Sequence, residues 1–86
     1  MKDIFGVEIS LEFDTNENMI YRFIDEAIEL NDCLFGGGST PNSITGMIEL
    51  GDTEKLSIKR LNKIKKWATT NNLKIATIGK IHSLRE

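Results

Sequence analysis

The sequence predicts a small α+β domain, and three observations carry that prediction. Its 86 residues leave room for one hydrophobic core, so residues 1–86 are expected to form a single domain. Segments of alternating apolar residues are interleaved with segments of helical periodicity, in the order strand–helix–strand–strand–helix–strand. The first strand alternates regularly, as in a sheet covered on one side only. The economical arrangement is the ferredoxin-like βαββαβ sandwich, a four-stranded antiparallel sheet with both helices on one face.

The first strand and the first helix follow from clear periodicities. Residues 5–13 alternate between apolar and polar side chains, the pattern of a half-buried strand. Residues 14–16 offer N-cap side chains, and Glu17 is favourably placed in the first helical turn. We expect the helix to end near residues 31–32. Its apolar stripe consists of Met19, Ile20, Phe23, Ile24, Ala27 and Ile28.

Two strands and a turn-rich loop are predicted next. Residues 33–35 are predicted as a short strand that runs into a loop over residues 36–42. Residues 43–50 are predicted as the following strand. Its apolar face is formed by Ile44, Gly46, Ile48 and Leu50.

The last helix and strand come after a connector over residues 51–56. Ser57 is expected to cap the second helix, which should end at residues 71–72. Residues 73–78 are predicted as the final strand, followed by a short tail. The helix is expected to turn Ile58, Leu61, Ile64 and Ala68 inward.

Composition and cysteine usage indicate a reducing compartment. Hydrophobic residues make up 40% and charged residues 28%, so extensive disorder is not expected. The single cysteine, Cys33, cannot form an internal disulfide or supply a structural zinc site. No apolar run approaches the ~20 residues of a membrane span, and residues 1–5 contain no extended apolar signal core. We therefore expect a cytoplasmic protein that does not bind membranes.

Charge is distributed unevenly along the chain. Residues 1–54 contain twelve acidic side chains against two basic ones, a net charge of −10. Residues 55–86 contain nine basic side chains against one acidic one, a net charge of +8. Such asymmetry indicates an interaction surface, unless the two halves simply neutralise each other in the fold.

Most of these cations fall on the predicted second helix, opposite its apolar stripe. A basic stripe of this kind suits a phosphate backbone, and an indole beside it can stack on an exposed base or cover the edge of the core. The alternatives are a solvated lysine face, or pairing with the acidic outer side of the first helix. No specificity for DNA is expected. The candidate residues for binding RNA or a partner are Lys59, Arg60, Lys63, Lys66 and Trp67.

A run of three glycines is the most conspicuous local feature. A phosphate-binding glycine loop leads directly into a helix, whereas this run precedes Pro41, Asn42 and a strand. We therefore favour a hairpin that needs positive φ angles or close backbone approach. Gly36, Gly37 and Gly38 remain candidates for a loop contact with a partner, because bare backbone offers a good contact surface.

Catalytic and metal sites are not indicated. Cys33 is expected at the core edge, and its possible partner His82 lies in the tail without an orienting third group. The acidic residues are expected on solvent faces, and neither a histidine cluster nor a tight loop of oxygen ligands accompanies them. We predict no enzyme activity, no catalytic residue, no metal and no cofactor. An enzyme using Cys33 or the carboxylates would need a concave pocket there.

The open face of the sheet is an unsuitable RNA platform. Sheet-face RNA binders display aromatic rings on their exposed strands. This face is expected to be acidic and free of rings, and it should carry Glu8, Ser10, Glu12, Thr45, Met47 and Glu49. If RNA is bound, the helical side is expected to bind it.

Several of these motifs together resemble the bacterial YggL family. One block comprises residues 23–29, Asn31 and residues 34–38. A second comprises residues 46–48, followed about twenty residues later by Lys66 and Trp67. The resemblance runs from about Val7 to the C-terminus.

The resemblance implies a small, cytoplasmic, ribosome-associated accessory protein that binds the large ribosomal subunit, with no assigned enzymatic activity or cofactor. It places the glycine run and Trp67 at family motif positions. Familiar members carry a Lys- and Arg-rich extension before the first strand, whereas this chain starts with Met1-Lys2-Asp3. Ribosome binding is therefore expected to depend more heavily on Lys59, Arg60, Lys63 and Lys66. The alternative is a protein- or small-ligand-binding module acting as a homo-oligomer, for example a homodimer joined through the open sheet face or strand edges.

Overall fold

In the part of the chain that the structure describes, the fold is a small α+β structure with an open, five-stranded antiparallel sheet and two helices. The structure is a computed structural model that describes residues 4–12, 18–40 and 42–84. In chain order the elements are β1 (Phe5–Glu12), α1 (Asn18–Arg22), β2 (Leu34–Thr40), β3 (Ser43–Gly51), α2 (Glu54–Thr70), β4 (Lys74–Ile78) and β5 (His82–Ser83).

The sheet has the strand order β2-β3-β1-β4, and all its pairs are antiparallel. The fifth strand, β5, lies in the predicted tail, so the expectation of four strands is corrected. After β4, the Gly79 N–H donates to the Glu8 carbonyl at 2.8 Å, and His82 and Ser83 then pair with Gly6 and Phe5. The chain thus resumes its pairing with the beginning of β1, which satisfies backbone groups that a free tail would leave open.

The first helix does not keep one helical pitch. Helix α1 continues as a π-helical segment, Phe23–Ile28, and a 3-10 turn, Glu29–Asn31. We call this run, residues 18–31, the first helical segment. It ends at Asp32, close to the predicted helix end, and the φ of Asp32 is 58°, in the left-handed region. Phe23, Ala27 and Ile28 of the π-helical segment are all buried. The predicted cap at residues 14–16, Glu17 and the strand end Phe13 lie outside the described residues.

The core lies between the sheet and the helices. The predicted alternation is confirmed in β1 from Val7 to Glu12 and in β3 at Ile44, Ile48 and Leu50, which are buried while Thr45 is exposed. It is not kept at the start of β1, where Phe5 is half-buried and Gly6 is buried beside a register irregularity, and Gly46 is half-buried as well. Helix α2 contributes three of the predicted inward residues, and the fourth, Ile58, is 46% exposed. The core cluster consists of Val7, Ile9, Leu11, Phe23, Ala27, Ile28, Cys33, Ile44, Ile48, Leu50, Leu61, Ile64, Ala68 and Leu73.

Helix α2 begins earlier than predicted, and its first turn contains Ser57. Thr53 is the N-cap, and its Oγ1 accepts from the Leu56 N–H at 3.2 Å. Ser57 lies in the first turn and is fully buried, and its hydroxyl donates to the Thr53 carbonyl at 2.7 Å. The inward stripe therefore runs through Ser57 rather than Ile58. The predicted end at Asn71 and Asn72 is confirmed.

The glycine run lies in strand β2 and not in a turn-rich loop. The chain reverses between Thr40 and Ser43, which pair with each other. No described glycine has a positive φ, so that part of the prediction is wrong. Close backbone approach does hold at Gly37, where an added Cβ would lie 2.2 Å from the Thr45 carbonyl oxygen. Extended glycines can join a sheet, and here the strand partner rather than the local sequence decides their conformation.

Candidate nucleic-acid interface on the second helix

Four lysines of α2 form one exposed row along the side that faces away from the core. At 3.6 residues per turn they fall within about 80° around the helix axis and span about 17 Å along it. All four are exposed, whereas Leu61, Ile64 and Ala68 on the opposite side are buried. We call this surface the lysine face: Lys55, Lys59, Lys63 and Lys66.

The lysine face has no anionic partner within the described residues. The ion pairs recorded there are Arg22–Glu26, Arg60–Asp32 and Lys74–Glu12, and none includes a lysine of α2. Pairing with the acidic outer side of the first helical segment, one alternative raised by the sequence, is therefore not observed for these lysines. Their charge remains available to a phosphate-bearing partner.

Arg60 is placed differently from its neighbours, because its side chain is committed to the fold. Its Nη1 donates to the Leu50 carbonyl at 2.7 Å, and Nη2 lies 3.8 Å from Asp32 Oδ2. The side chain is half-buried and joins α2 to the end of β3 and to the turn before β2. The sequence placed Arg60 alongside the lysines, whereas the structure turns it toward the sheet and the first helical segment.

Trp67 also faces the first helical segment rather than the lysine face. Its Nε1 donates to Glu26 Oε1 at 3.2 Å, and its ring lies 5.9 Å from that of Phe23. The Arg22 guanidinium lies over the indole at 5.8 Å from the ring centroid. Of the two interpretations that the sequence left open for Trp67, this geometry favours the residue that covers the core edge.

Glu26 connects the first helical segment to α2 through charged hydrogen bonds. Arg22 Nε donates to Glu26 Oε2 at 3.0 Å, and the indole N–H binds the other oxygen. These hydrogen bonds, with that from Arg22 the stronger influence, lower the pKa of Glu26 below its ordinary value. Arg22 also donates to Asn71 Oδ1 at 2.9 Å, which ties the first helical segment to the end of α2.

Part of the lysine face borders a shallow groove. Lys59 and Lys63 line it from α2, and Leu30 at the end of the first helical segment lines it together with the following Asp32. The groove has a volume of about 180 Å³. Because Asp32 and Arg60 partly neutralise each other there, the groove itself is less basic than the outer row of lysines.

The glycine run belongs to a different surface. Helix α2 packs on β1, β3 and β4, whereas Gly36, Gly37 and Gly38 lie in the edge strand β2. The register places Gly36 and Gly38 beside Met47 and Thr45, on the outer face of the sheet. The structure therefore does not bring together the two candidate binding regions predicted from the sequence.

Cys33 is held in the core. It is 3% exposed, and its Sγ lies 3.4 Å from the Asn31 carbonyl and 3.9 Å from the Leu50 carbonyl. Burial is the main cause that raises the pKa of the thiol, which opposes thiolate formation. No hydrogen bond within the described ranges joins it to His82, whose Nδ1 instead lies 2.9 Å from the Lys80 carbonyl oxygen.

The outer face of the sheet bears the predicted acids. Ser10 and Thr45 hydrogen-bond across β1 and β3 at 2.9 Å, and Glu8 borders a concavity of about 410 Å³ with Met47 and Thr77.

Over residues 4–12, 18–40 and 42–84, no three His, Cys, Asp or Glu side chains come close enough together to hold a metal ion. In the same ranges no helix is both long and apolar enough to cross a membrane.

Sequence reasoning missed Lys55, because it began the helix at Ser57 and left residues 51–56 as a connector. Thr53 followed by Glu54 is the signal that could have found the true start, since a threonine N-cap and an acid in the first turn both favour a helix N-terminus. With that start, Lys55 falls one turn before Lys59 on the same side.

A scan against models of protein families finds no match, and a search of curated proteins finds no relative.

Proposed function

We propose that this chain is a non-enzymatic, cytoplasmic accessory protein that binds ribosomal RNA of the large subunit through the lysine face. The observation that carries the proposal is the row of exposed α2 lysines, which have no carboxylate partner within the described residues. Exposed ion pairs contribute about 0–1 kcal/mol each, so stability is a weak reason to place so many cations on one helix. An unpaired basic row that follows a phosphate backbone releases counterions, which is a favourable source of binding free energy.

The opposite surface supports the same orientation of binding. The outer face of β1 and β3 carries Glu8 and Glu12 and would repel phosphate. Helix α2 covers the other face of the sheet and turns its lysines outward. A nucleic acid is therefore attracted to the lysine face and repelled from the acids on the outer face of the sheet.

We also propose the ferredoxin-like assignment for the fold. It is supported by the strand order β2-β3-β1-β4, by antiparallel pairing throughout, and by the shared core of both helices. The short β5 is then an addition that extends the pairing of β1.

The resemblance to the YggL family supplies the candidate target. It rests on the block of residues 23–29 and 34–38 and on Trp67, and it implies association with the large ribosomal subunit. Two of these residues have a structural role that needs no ligand. Gly37 allows the close approach of β2 and β3, and Trp67 joins α2 to the first helical segment. The RNA contact is therefore assigned to the lysines, with Arg60 and Trp67 stabilising the helix that carries them.

Charge reversal on the lysine face tests the proposal. The double variant Lys59→Glu/Lys63→Glu is expected to weaken co-sedimentation with purified large subunits at low salt by about tenfold or more, because two phosphate contacts become repulsions. The matched control is Lys74→Glu/Lys80→Glu, which makes the same change in net charge at the start of β4 and just after its end. The control is expected to sediment like the unmodified protein.

Two results would overturn the proposal. Undiminished sedimentation of the Lys59/Lys63 variant would show that the lysine face does not bind the subunit. Equal loss in both variants would show that net charge alone, and not this surface, governs the association. Circular dichroism of both variants checks that the helices remain formed.

A further inference from the structure

Among the described residues, strand β2 forms an edge of the sheet that is open along its length. Within the described ranges its strand partner is β3, so alternate backbone N–H and C=O groups on its other side lack a ladder partner. Six of its seven residues are exposed. The strand contains neither a charged residue nor a proline, which are the usual means of preventing association at an edge.

The opposite edge of the sheet is protected. A register irregularity interrupts the pairing of β1 with β4 between Ser10 and Leu11, and Lys74 opens the edge strand with a charge. After β4 the chain leaves the ladder and returns as the two-residue β5. Bulges, charges and short strands all discourage pairing, so the two edges differ in their capacity to accept another strand.

We propose that β2 is a homodimerisation edge, on which β2 of a second copy pairs antiparallel about a twofold axis at Gly36. A second copy fits this edge because the strand is uncharged, so that pairing with itself sets no like charges opposite each other. Pairing of two identical edges also closes the assembly as a dimer, because the protected edges remain outside.

The residue sizes along β2 are complementary in this register. Leu34 lies opposite Gly38 of the partner subunit, and Phe35 lies opposite Gly37 of the partner subunit. Leu34 is 64% exposed, and no atom lies within 4 Å of the place where Gly38 would carry a Cβ. The large side chain of one copy therefore covers the bare backbone of the other, on the outer face of the joined sheet.

The symmetry of the pairing fixes the orientation of the two copies. An antiparallel pair of identical strands in one continuous sheet has its twofold axis perpendicular to that sheet, so both helical layers lie on the same side. Both lysine faces then point to the same side as well. Dimerisation does not depend on the proposed RNA binding, and it can be measured without RNA.

The contact is small, so a weak dimer is expected. Five residues of each copy pair across the axis, which is well below the area of a standard stable interface. Sedimentation equilibrium of the full chain in the absence of RNA should therefore show a mass that rises from monomer to dimer with protein concentration.

A lysine at the twofold axis tests the edge. Gly36→Lys sets two like charges opposite each other, and the monomer tolerates it because no atom lies within 4 Å of the added Cβ. The dimer dissociation constant is expected to rise by about tenfold or more. Thr77→Lys, which puts the same charge on the outer face of β4, is the matched control and should leave the mass distribution unchanged.

Cross-linking tests the register. Gly36→Cys brings two thiols opposite each other across the axis and is expected to give a disulfide-linked dimer on air oxidation. Gly38→Cys faces Leu34 of the partner subunit and should cross-link much less. The native Cys33 does not interfere, because it is buried.

Three results would overturn parts of this proposal. A monomer at every concentration, or a dimer that Gly36→Lys leaves unchanged, shows that β2 is not the dimer edge. Stronger cross-linking at Gly38 than at Gly36 shows that the twofold axis is elsewhere. None of these results bears on sedimentation with the ribosomal subunit.

Discussion

At the scale of single residues, the three neighbouring glycines of β2 have different roles. Gly37 faces Gly46 across the ladder, and each leaves no room for a Cβ: at Gly46 one would lie 2.3 Å from the Gly36 carbonyl oxygen. The Phe35 ring also lies over Gly46 and meets Phe23 edge to face at 6.3 Å. The Gly37–Gly46 pair is therefore required for packing, whereas Gly36 and Gly38 border open space.

Alanine substitutions should separate these roles. Gly37→Ala is expected to destabilise the fold by about 1–3 kcal/mol, because the added methyl group meets the backbone of β3. Gly38→Ala meets no atom within 4 Å and is expected to be neutral or to stabilise by up to about 1 kcal/mol, because it restricts the unfolded chain. Urea unfolding measures both, and an equal loss of stability at the two positions would contradict this assignment.

At the scale of elements, one contact between the first helical segment and α2 depends on the ionisation of Glu26. Glu26 on the first helical segment binds Arg22 and also accepts from Trp67 on α2. The first helical segment and α2 are thus held in register by a charged hydrogen-bond acceptor beside the aromatic contact of Phe23 and Trp67.

The lowered pKa of Glu26 predicts an acid-sensitive contribution to stability. Because the pKa is lower in the folded than in the unfolded state, the contribution is present above the unfolded-state value and is lost as pH falls through the folded-state value. Glu26→Gln should therefore be less stable than the unmodified protein near neutral pH, and the difference should shrink in acid. Urea unfolding from neutral pH to about pH 3 measures it.

A second variant identifies the source of the effect. Trp67→Phe keeps an aromatic ring but removes the indole donor, so the pKa of Glu26 should rise partway toward its ordinary value. A carbon-detected NMR titration of the Glu26 carboxyl group reads this directly. A pKa unchanged by Trp67→Phe would show that Arg22 alone determines it.

At the scale of the whole molecule, charge is separated between two surfaces. The lysine face lies on the outer side of α2, and the acids of β1 lie on the opposite side of the sheet. The net charge of −2 conceals this separation. If an RNA binds as proposed, its phosphates are attracted to the lysine face, so affinity should depend on salt through the lysines and not through net charge.

The salt dependence of the proposed RNA binding reports how many phosphates the lysines contact. If all four lysines neutralise a phosphate, the logarithm of the association constant should fall against the logarithm of salt concentration with a slope of about −3 to −4. Lys59→Glu/Lys63→Glu should reduce the magnitude of that slope by about 2, and Lys74→Glu/Lys80→Glu should not change it. Fluorescence anisotropy with a ribosomal RNA fragment measures the slopes, and equal slopes for the two variants would exclude the lysine face.

The periodicity of the sequence was enough to predict the α+β class, the inward faces of β1 and β3, the ends of both helices and the exposure of Lys59, Lys63 and Lys66. These features follow from local spacing, because the side-chain direction in a strand or helix repeats with the backbone. The helix start was misplaced because Thr53 and Ser57 both have capping side chains, and burial of Ser57 decided between them.

The tertiary structure alone decided features that depend on a distant partner. The glycines became a strand because β3 pairs with them, and the tail became β5 because β1 offered unpaired backbone groups. Arg60 and Trp67 lie next to the lysine face in helical phase. Their side chains point away from it, because Arg60 binds Leu50 and Asp32 and Trp67 binds Glu26. The sequence by itself determined that a basic helical face exists. The fold determined which of its cations have a partner among the described residues, because that depends on the groups that packing brings near them.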